Sequence, residues 1–491
     1  SLTNQSNNFT SSLQLISAAH GLKQIAIRVE ELEASTERLI QLDYGVSFNS
    51  GLMNSKPETG YARLDRDHHE SARLWVTLKG RLAMAEGSSI DQPVNRRLRL
   101  GIVGIGVGAS EILPQMEAMP DIQLVAAADI NRRVLNTFQH RYGAKAYDSI
   151  EKLCADPNVE AVWISTPNRF HAPHTIMAAE HGKHVVVEKP MAISLAEAEK
   201  MIETAEKHKV KLLCGHTQSY GPHIRTMRKI IESGELGRLC ALHVWAYTDW
   251  MLRPRTAEEL DVNQGGGVPY RQGPHQIDTL RLLGGGMVRS VRGAVGQWFA
   301  GRPIPGYYSA FMEFENGTPA TLMHNGYGYF LASELVPWGN QNSRYSEAER
   351  AVIRKSLLDG TRNENADKDE MRIGGTRERD IRDRSKPKPW LPNDLGILIA
   401  TCERGDIRQS QFGLYVHRDE GTKDVPLVGG GGPSRRGELE ELYNAVVLDK
   451  PIRHSGHWGM ATLEACLAIL QSAKERKEIF LSHQVPAPEE D

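Results

Sequence analysis

From Arg99 onward, short apolar runs rich in β-branched residues alternate with stretches of helical spacing, and this alternation restricts the fold more than any other feature. The runs cover residues 100–105, 124–128, 161–165, 185–187 and 211–214, and helical patterns between them end near Gly143, Gly182 and His208. Ser194-Leu195-Ala196-Glu197 reads as a capping box, in which hydroxyl and carboxylate each satisfy a free backbone donor at a helix start. Such alternation predicts βαβ units: a doubly wound α/β domain whose parallel sheet is covered on both faces.

The order shifts after about Gly221. A helix over 222–233 leads to a long strand over 239–248, an irregular stretch, and a second helix over 274–283. Two alternating runs, 307–314 and 320–327, flank the turn Asn316-Gly317 and predict an antiparallel pairing. The expectation is an α+β second domain with helices on one face of an open-faced antiparallel sheet. Residues 337–395 are highly charged and read as a surface excursion, helical between 346 and 358, and the chain ends helical. Residues 22–42 have helical apolar spacing compatible with one amphipathic helix, but 1–96 otherwise lack clear strands and suggest no activity. The expected organisation is an extension over 1–96, a Rossmann domain over 97–220, and a substrate and oligomerisation domain over 221–491.

Composition narrows the partners. Hydrophobic residues make up 40% and charged residues 24%, as in globular proteins. Lys+Arg 59 against Asp+Glu 61 leaves a net charge of −2, which gives no electrostatic attraction to nucleic acid or an anionic membrane. No apolar run is long enough to span a bilayer. The five cysteines are scattered without C-x-x-C spacing, so reduced thiols in a cytoplasmic protein are expected.

Three motifs carry chemistry. Gly104-Ile105-Gly106-Val107-Gly108-Ala109 ends a predicted strand and opens a helix, where glycine permits a tight turn and close approach of a pyrophosphate. Asp129 closes the next strand 129 − 109 = 20 residues later, where a carboxylate binds a ribose diol. It favours NAD, because an acid repels a 2′-phosphate; Arg132 and Arg133 keep NADP open. Ser165-Thr166-Pro167-Asn168 with His171, and Glu188-Lys189-Pro190, sit at two further strand ends and so share one crevice. Lys189 there suits proton transfer, though a Glu–Lys surface pair reads the same way. The segment from Gly265 to Asp278 places His275 at a helix start, sharing a face with Asp278, as an acid/base candidate or a structural histidine.

Together these motifs resemble the glucose–fructose oxidoreductase / inositol dehydrogenase (Gfo/Idh/MocA) family. The matching residues are Gly104, Gly106 and Ala109; Thr166, Pro167, Asn168 and His171; Gly182-Lys183-His184-Val185 leading to Glu188-Lys189-Pro190; and 265–278. The resemblance implies a nicotinamide-dependent dehydrogenase that oligomerises through its open sheet. It also implies that Lys189 and His275 are the catalytic pair and that Thr166, Pro167, Asn168, His171 and Glu188 lie at the cofactor.

Sugar dehydrogenases of this type usually have Asp where Arg271 stands. Arg is the preferred bidentate partner of carboxylates, and Arg253 and Arg255 lie just upstream. Residues 247–255 and 270–276 resemble the phthalate 4,5-cis-dihydrodiol dehydrogenase branch. The expected substrate is accordingly anionic: a cis-dihydrodiol of an aromatic dicarboxylate held by Arg253, Arg255 and Arg271, oxidised without a metal. A sugar, inositol or carboxylated-semialdehyde dehydrogenase is the alternative within the family. A dinucleotide-binding sensor without turnover is the alternative outside enzymes, against which Lys189 and His275 both argue.

Overall fold

The computed structural model describes residues 24–27, 45–48, 59–66 and 70–77, and then 96–339, 344–378, 389–427 and 434–489. The chain divides into two units, Ser1–Val94 and Asn95–Asp491.

The first unit holds a four-stranded sheet in the order Gln24–Ile27, Glu70–Thr77, Thr59–Arg66, Gly45–Phe48. Its first pair is parallel and the other two antiparallel. This corrects the helix expected over 22–42, whose start is a strand; its remaining residues lie outside those described. The partner of Ile25 is Leu74 and that of Ile27 is Val76, too far along the chain for local spacing to reveal.

The second unit begins with a six-stranded all-parallel sheet: Leu212–Gly215, His184–Glu188, Ala161–Ile164, Leu98–Val103, Ile122–Ala128, Lys145–Tyr147. Numbered along this domain the order is 6-5-4-1-2-3, which places a switch point between the first and fourth strands, where α/β proteins bind ligands. Both faces of this sheet are covered, so its strands read as unbroken apolar runs: Leu98, Leu100, Ile102 and Trp163 are fully buried. Helix boundaries follow side-chain chemistry. Asn131 accepts from the backbone N–H groups of Arg133 and Val134 to start Arg132–Tyr142, and Gly143 ends it at φ 63°. At the predicted capping box, Ser194 accepts from Glu197 N, but the Glu197 carboxylate accepts from Ile193 N, one residue before the cap.

A nine-stranded sheet follows, with Leu239–Tyr247, Pro319–Asn325, Tyr307–Phe314, Val288–Gly296 and the short edge strand Ile479–Phe480 on one side and four strands from Ile397–Cys402 to Gly421–Pro426 on the other. All pairs are antiparallel except Leu239–Tyr247 with Pro319–Asn325. Leu242, Val244, Leu322, Tyr308 and Leu398 line the buried face under helices that include Gly273–Gly284 and Gly456–Glu475. Alternate residues such as Trp245 and Phe311 face outward and are exposed. Helix Ser434–Val447 returns to the six-stranded parallel sheet, where Leu439 and Leu442 join its core.

The charged excursion is more ordered than its composition suggests. It contains helix Glu347–Leu358, begun by a capping box from Ser346 to Glu349, and helix Glu364–Glu370. Ile373 beyond them is 1% exposed, packed into the core of the parallel sheet. All five cysteines are free. No helix among the described residues is long and apolar enough to cross a membrane.

Candidate active site

The glycine turn is built by close approach. Gly104 has φ 86°, and a Cβ there would lie 2.9 Å from both Ser165 O and Thr166 Cγ2. Any side chain would therefore push the turn off the neighbouring strand end. At Gly106 a Cβ would meet nothing within 4 Å: this is the open side, beside the start of helix Ala109–Ala118. An open backbone surface at a helix N-terminus is the cradle a dinucleotide pyrophosphate needs, so the residues fit NAD. Ala109 is fully buried and serves close packing of helix on sheet. Asp129 accepts from Ile105 N (2.7 Å) and Asn131 N (2.8 Å), which fixes its carboxylate beside the turn. Next to it Ile130 is 95% exposed, an apolar side chain facing away from the core.

The two other strand ends are tied together. The ring nitrogens of His171 lie 2.7 Å from Pro190 O and 2.8 Å from Thr166 O, and the side chain is buried. Direct cofactor contact by His171 is thus corrected: it staples the 166 and 190 turns. Asn168 is also buried, donating to Gly265 O at 2.9 Å and accepting from Arg271 Nη1 at 3.3 Å. Pro167 between them is exposed at the crevice. Glu188 accepts from Arg435 Nη1 at 2.7 Å, and Arg435 also reaches Glu438.

Lys189 and His275 come from different domains of the fold. Lys189 follows strand His184–Glu188; His275 lies in the first turn of helix Gly273–Gly284. Lys189 Nζ donates to Arg271 O at 2.9 Å. Burial first, then the Arg271 guanidinium, push its ammonium down to about 8. Burial and the nearby Lys189 push His275 well below the usual histidine range, so its imidazole is neutral. Its Nδ1 is buried without a hydrogen-bond partner. A lysine able to lose its proton near neutrality beside a neutral imidazole can accept and relay a hydroxyl proton. Asp278, expected on the same face as His275, is fully buried and accepts from Trp458 Nε1 at 2.6 Å, a structural tie.

The three arginines do not share one fate. Arg253 donates to Asp249 at 2.9 Å and to both oxygens of Asp394 at 2.8 and 2.6 Å. Its charge is spent inside the fold, so the expected three-arginine clamp is corrected at this position. Arg255 lies over Trp250, its Cζ 3.8 Å from the ring centre, with Glu259 at 3.7 Å. Arg271 reaches Glu259 at 3.0 Å. Lys368, from the charged excursion, also binds Glu259. Glu259, Lys368, Asp394 and Arg435 went unnoticed in the sequence. Nothing local marks them, because Asp394 lies 141 residues from Arg253 and Lys368 109 from Glu259.

Residues 98–216 match the model for the oxidoreductase family with an NAD-binding Rossmann fold, and residues 224–329 match the GFO/IDH/MocA C-terminal domain. A 1-carboxy-3-chloro-3,4-dihydroxycyclo hexa-1,5-diene dehydrogenase of Comamonas testosteroni is 34% identical over 77% of this chain and 95% of its own. The chain belongs to the GFO/IDH/MocA family. It is an NAD-binding oxidoreductase of that family, a dehydrogenase of alcohol or diol groups. Another family relative, the mouse trans-1,2-dihydrobenzene-1,2-diol dehydrogenase, is 30% identical over 41% of this chain and 60% of its own. Among solved structures, a putative dehydrogenase from Bordetella bronchiseptica RB50 is 33% identical, with a TM-score of 0.71 over 78% of this chain and all of its own. Levoglucosan dehydrogenase in complex with NADH and levoglucosan shares the fold, at 17% identity, a TM-score of 0.60 and coverage of 78% and 99%.

Proposed function

We propose that this family member oxidises the cis-dihydrodiol of an aromatic dicarboxylate, 4,5-dihydro-4,5-dihydroxyphthalate or a close analogue, to the catechol. The observation that carries the reading is the position of Arg271: its carbonyl holds Lys189 while its guanidinium stands at the same crevice. A guanidinium where neutral-sugar enzymes of this type carry an acid favours a carboxylated substrate. The Comamonas testosteroni relative bears the name of a dehydrogenase of a carboxylated cyclohexadiene diol, which supports the same class.

Gly104, Gly106, Asp129, Thr166 and Pro167 hold the cofactor, with Asn168, His171, Glu188 and Ala109 shaping its walls. Bound NAD supplies the hydride acceptor. Lys189 in its neutral form takes the proton of the reacting hydroxyl, and His275 orients that hydroxyl as a neutral hydrogen-bonding partner. Oxidation of one carbinol leaves a hydroxydienone, which tautomerises to the catechol: the other carbinol carbon loses its proton, the new carbonyl oxygen gains one, and the ring regains aromaticity. Arg271 and Arg255 hold carboxylate and so orient the diol toward Lys189.

The test is NADH formation with a panel: the dihydrodiols of phthalate, of a chlorobenzoate and of benzene, and myo-inositol. Fastest turnover of a carboxylated dihydrodiol is expected; preference for inositol overturns the reading. A monocarboxylated dihydrodiol is the second reading, favoured by the relative's name. The same proposal places the enzyme in the cytoplasm, supported by its five free thiols. It further includes self-association through the outer sheet face, supported by the exposed Trp245 and Phe311.

A further inference from the structure

We propose that residues 362–378 form a strap belonging to the substrate site, and that Lys368 on it binds the second carboxylate of the substrate. This rests on the reading of a carboxylated dihydrodiol and extends it to the choice between one carboxylate and two.

The strap is anchored at both ends. Arg362 Nη1 donates to Leu252 O at 2.7 Å, and Glu364 accepts from Arg255 N at 2.8 Å and Arg302 Nη2 at 2.5 Å. At the far end Ile373 is buried in the core of the parallel sheet, and Glu378 accepts twice from Arg141, at 2.5 and 3.1 Å. Anchors of this kind hold the intervening helix Glu364–Glu370 against both the substrate loop and the dinucleotide domain. Lys368 is thereby placed on Glu259, which Arg271 and Arg255 also approach.

The charge count is unbalanced. Three cations, Arg255, Arg271 and Lys368, surround one carboxylate, Glu259, while the adjoining Arg253 with Asp249 and Asp394 returns one negative charge and Arg302 with Glu364 none, so the cluster stays net positive. All four side chains are at least three-quarters buried, with exposures of 9%, 23%, 18% and 9%. Buried charge is normally compensated, and Arg255 Nε here is buried without a hydrogen-bond partner. Lys368 shares its one carboxylate partner with two guanidiniums, so a second substrate carboxylate gives it an acceptor of its own, which a monocarboxylate held by Arg271 does not. Burial and the adjacent guanidiniums of Arg255 and Arg271, acting against Glu259, bring Lys368 down to about 8, in keeping with a cluster short of negative charge.

The test compares phthalate with benzoate as ligands of the enzyme–NADH complex by calorimetry, in the unaltered protein and in Lys368→Met and Lys368→Arg. Melting temperatures are measured alongside. The expected result is preference for phthalate in the unaltered protein, a loss of about tenfold in phthalate affinity in Lys368→Met, little change for benzoate, and recovery in Lys368→Arg. Equal weakening of both ligands together with a lowered melting temperature overturns the proposal, since Lys368 then only supports the fold. Absence of phthalate preference in the unaltered protein overturns it too. The turnover panel reports on the carboxylated dihydrodiol reading separately: turnover of the monocarboxylated diol with an unaffected Lys368→Met leaves that reading standing and removes this one.

Discussion

The ammonium of Lys189 donates to the backbone carbonyl of Arg271 at 2.9 Å, while the Arg271 side chain pairs with Glu259 at 3.0 Å. One residue therefore positions the lysine through its backbone and lowers its proton affinity through its side chain. Lys189→Met removes the proton acceptor without disturbing the glycine turn. Turnover is expected to fall roughly 100- to 10,000-fold, with NADH affinity by fluorescence titration unchanged.

Oxidation needs Lys189 as the neutral amine. Its proton affinity is depressed to about 8, so the neutral fraction and kcat/KM rise with pH and level off above about 8, well short of the usual lysine value. Arg271→Gln withdraws a positive neighbour that opposes protonation. The rising limb of the pH–rate profile then moves to higher pH, and KM for the carboxylated substrate increases.

Asp129 holds the backbone N–H groups of Ile105 and Asn131. In Asp129→Ala those donors lose their acceptor and the repulsion of a 2′-phosphate disappears. NAD efficiency is expected to fall, and the NADP to NAD ratio of kcat/KM to rise by roughly tenfold. Paired steady-state assays with the two cofactors check this.

Arg253→Met tests the correction to the clamp. It leaves Asp249 and Asp394 facing each other without their shared cation, and breaking a largely buried pair costs about 3 kcal/mol. The expected signature is a lowered denaturant midpoint with a similar loss for carboxylated and neutral diols. A selective loss of carboxylated substrate would return Arg253 to the substrate site.

Trp245 projects from the outer sheet face opposite Met323 and Ile397, and is 47% exposed. Trp245→Glu places a charge where a second copy would bury it. Light scattering is expected to show the mass of a single chain for this variant, and an oligomer for the unaltered protein.

Local sequence determined the parallel sheet, the glycine turn and the positions of Lys189 and His275. Each depends on properties carried by a few adjacent residues: strand–helix alternation, the absence of a Cβ at 104 and 106, and a side chain placed at a strand end. The helix expected over 22–42 failed for the opposite reason, since the strand Gln24–Ile27 is defined by a partner near residue 74. Availability of charge was likewise beyond reach. Arg253, Arg255 and Arg271 look equivalent in the sequence, but Asp394 neutralises the first, while Lys368 joins the other two on Glu259. Which arginine is free is a sum over charges brought together from distant segments. Only the folded arrangement of the excursion against the 249–259 loop decides it.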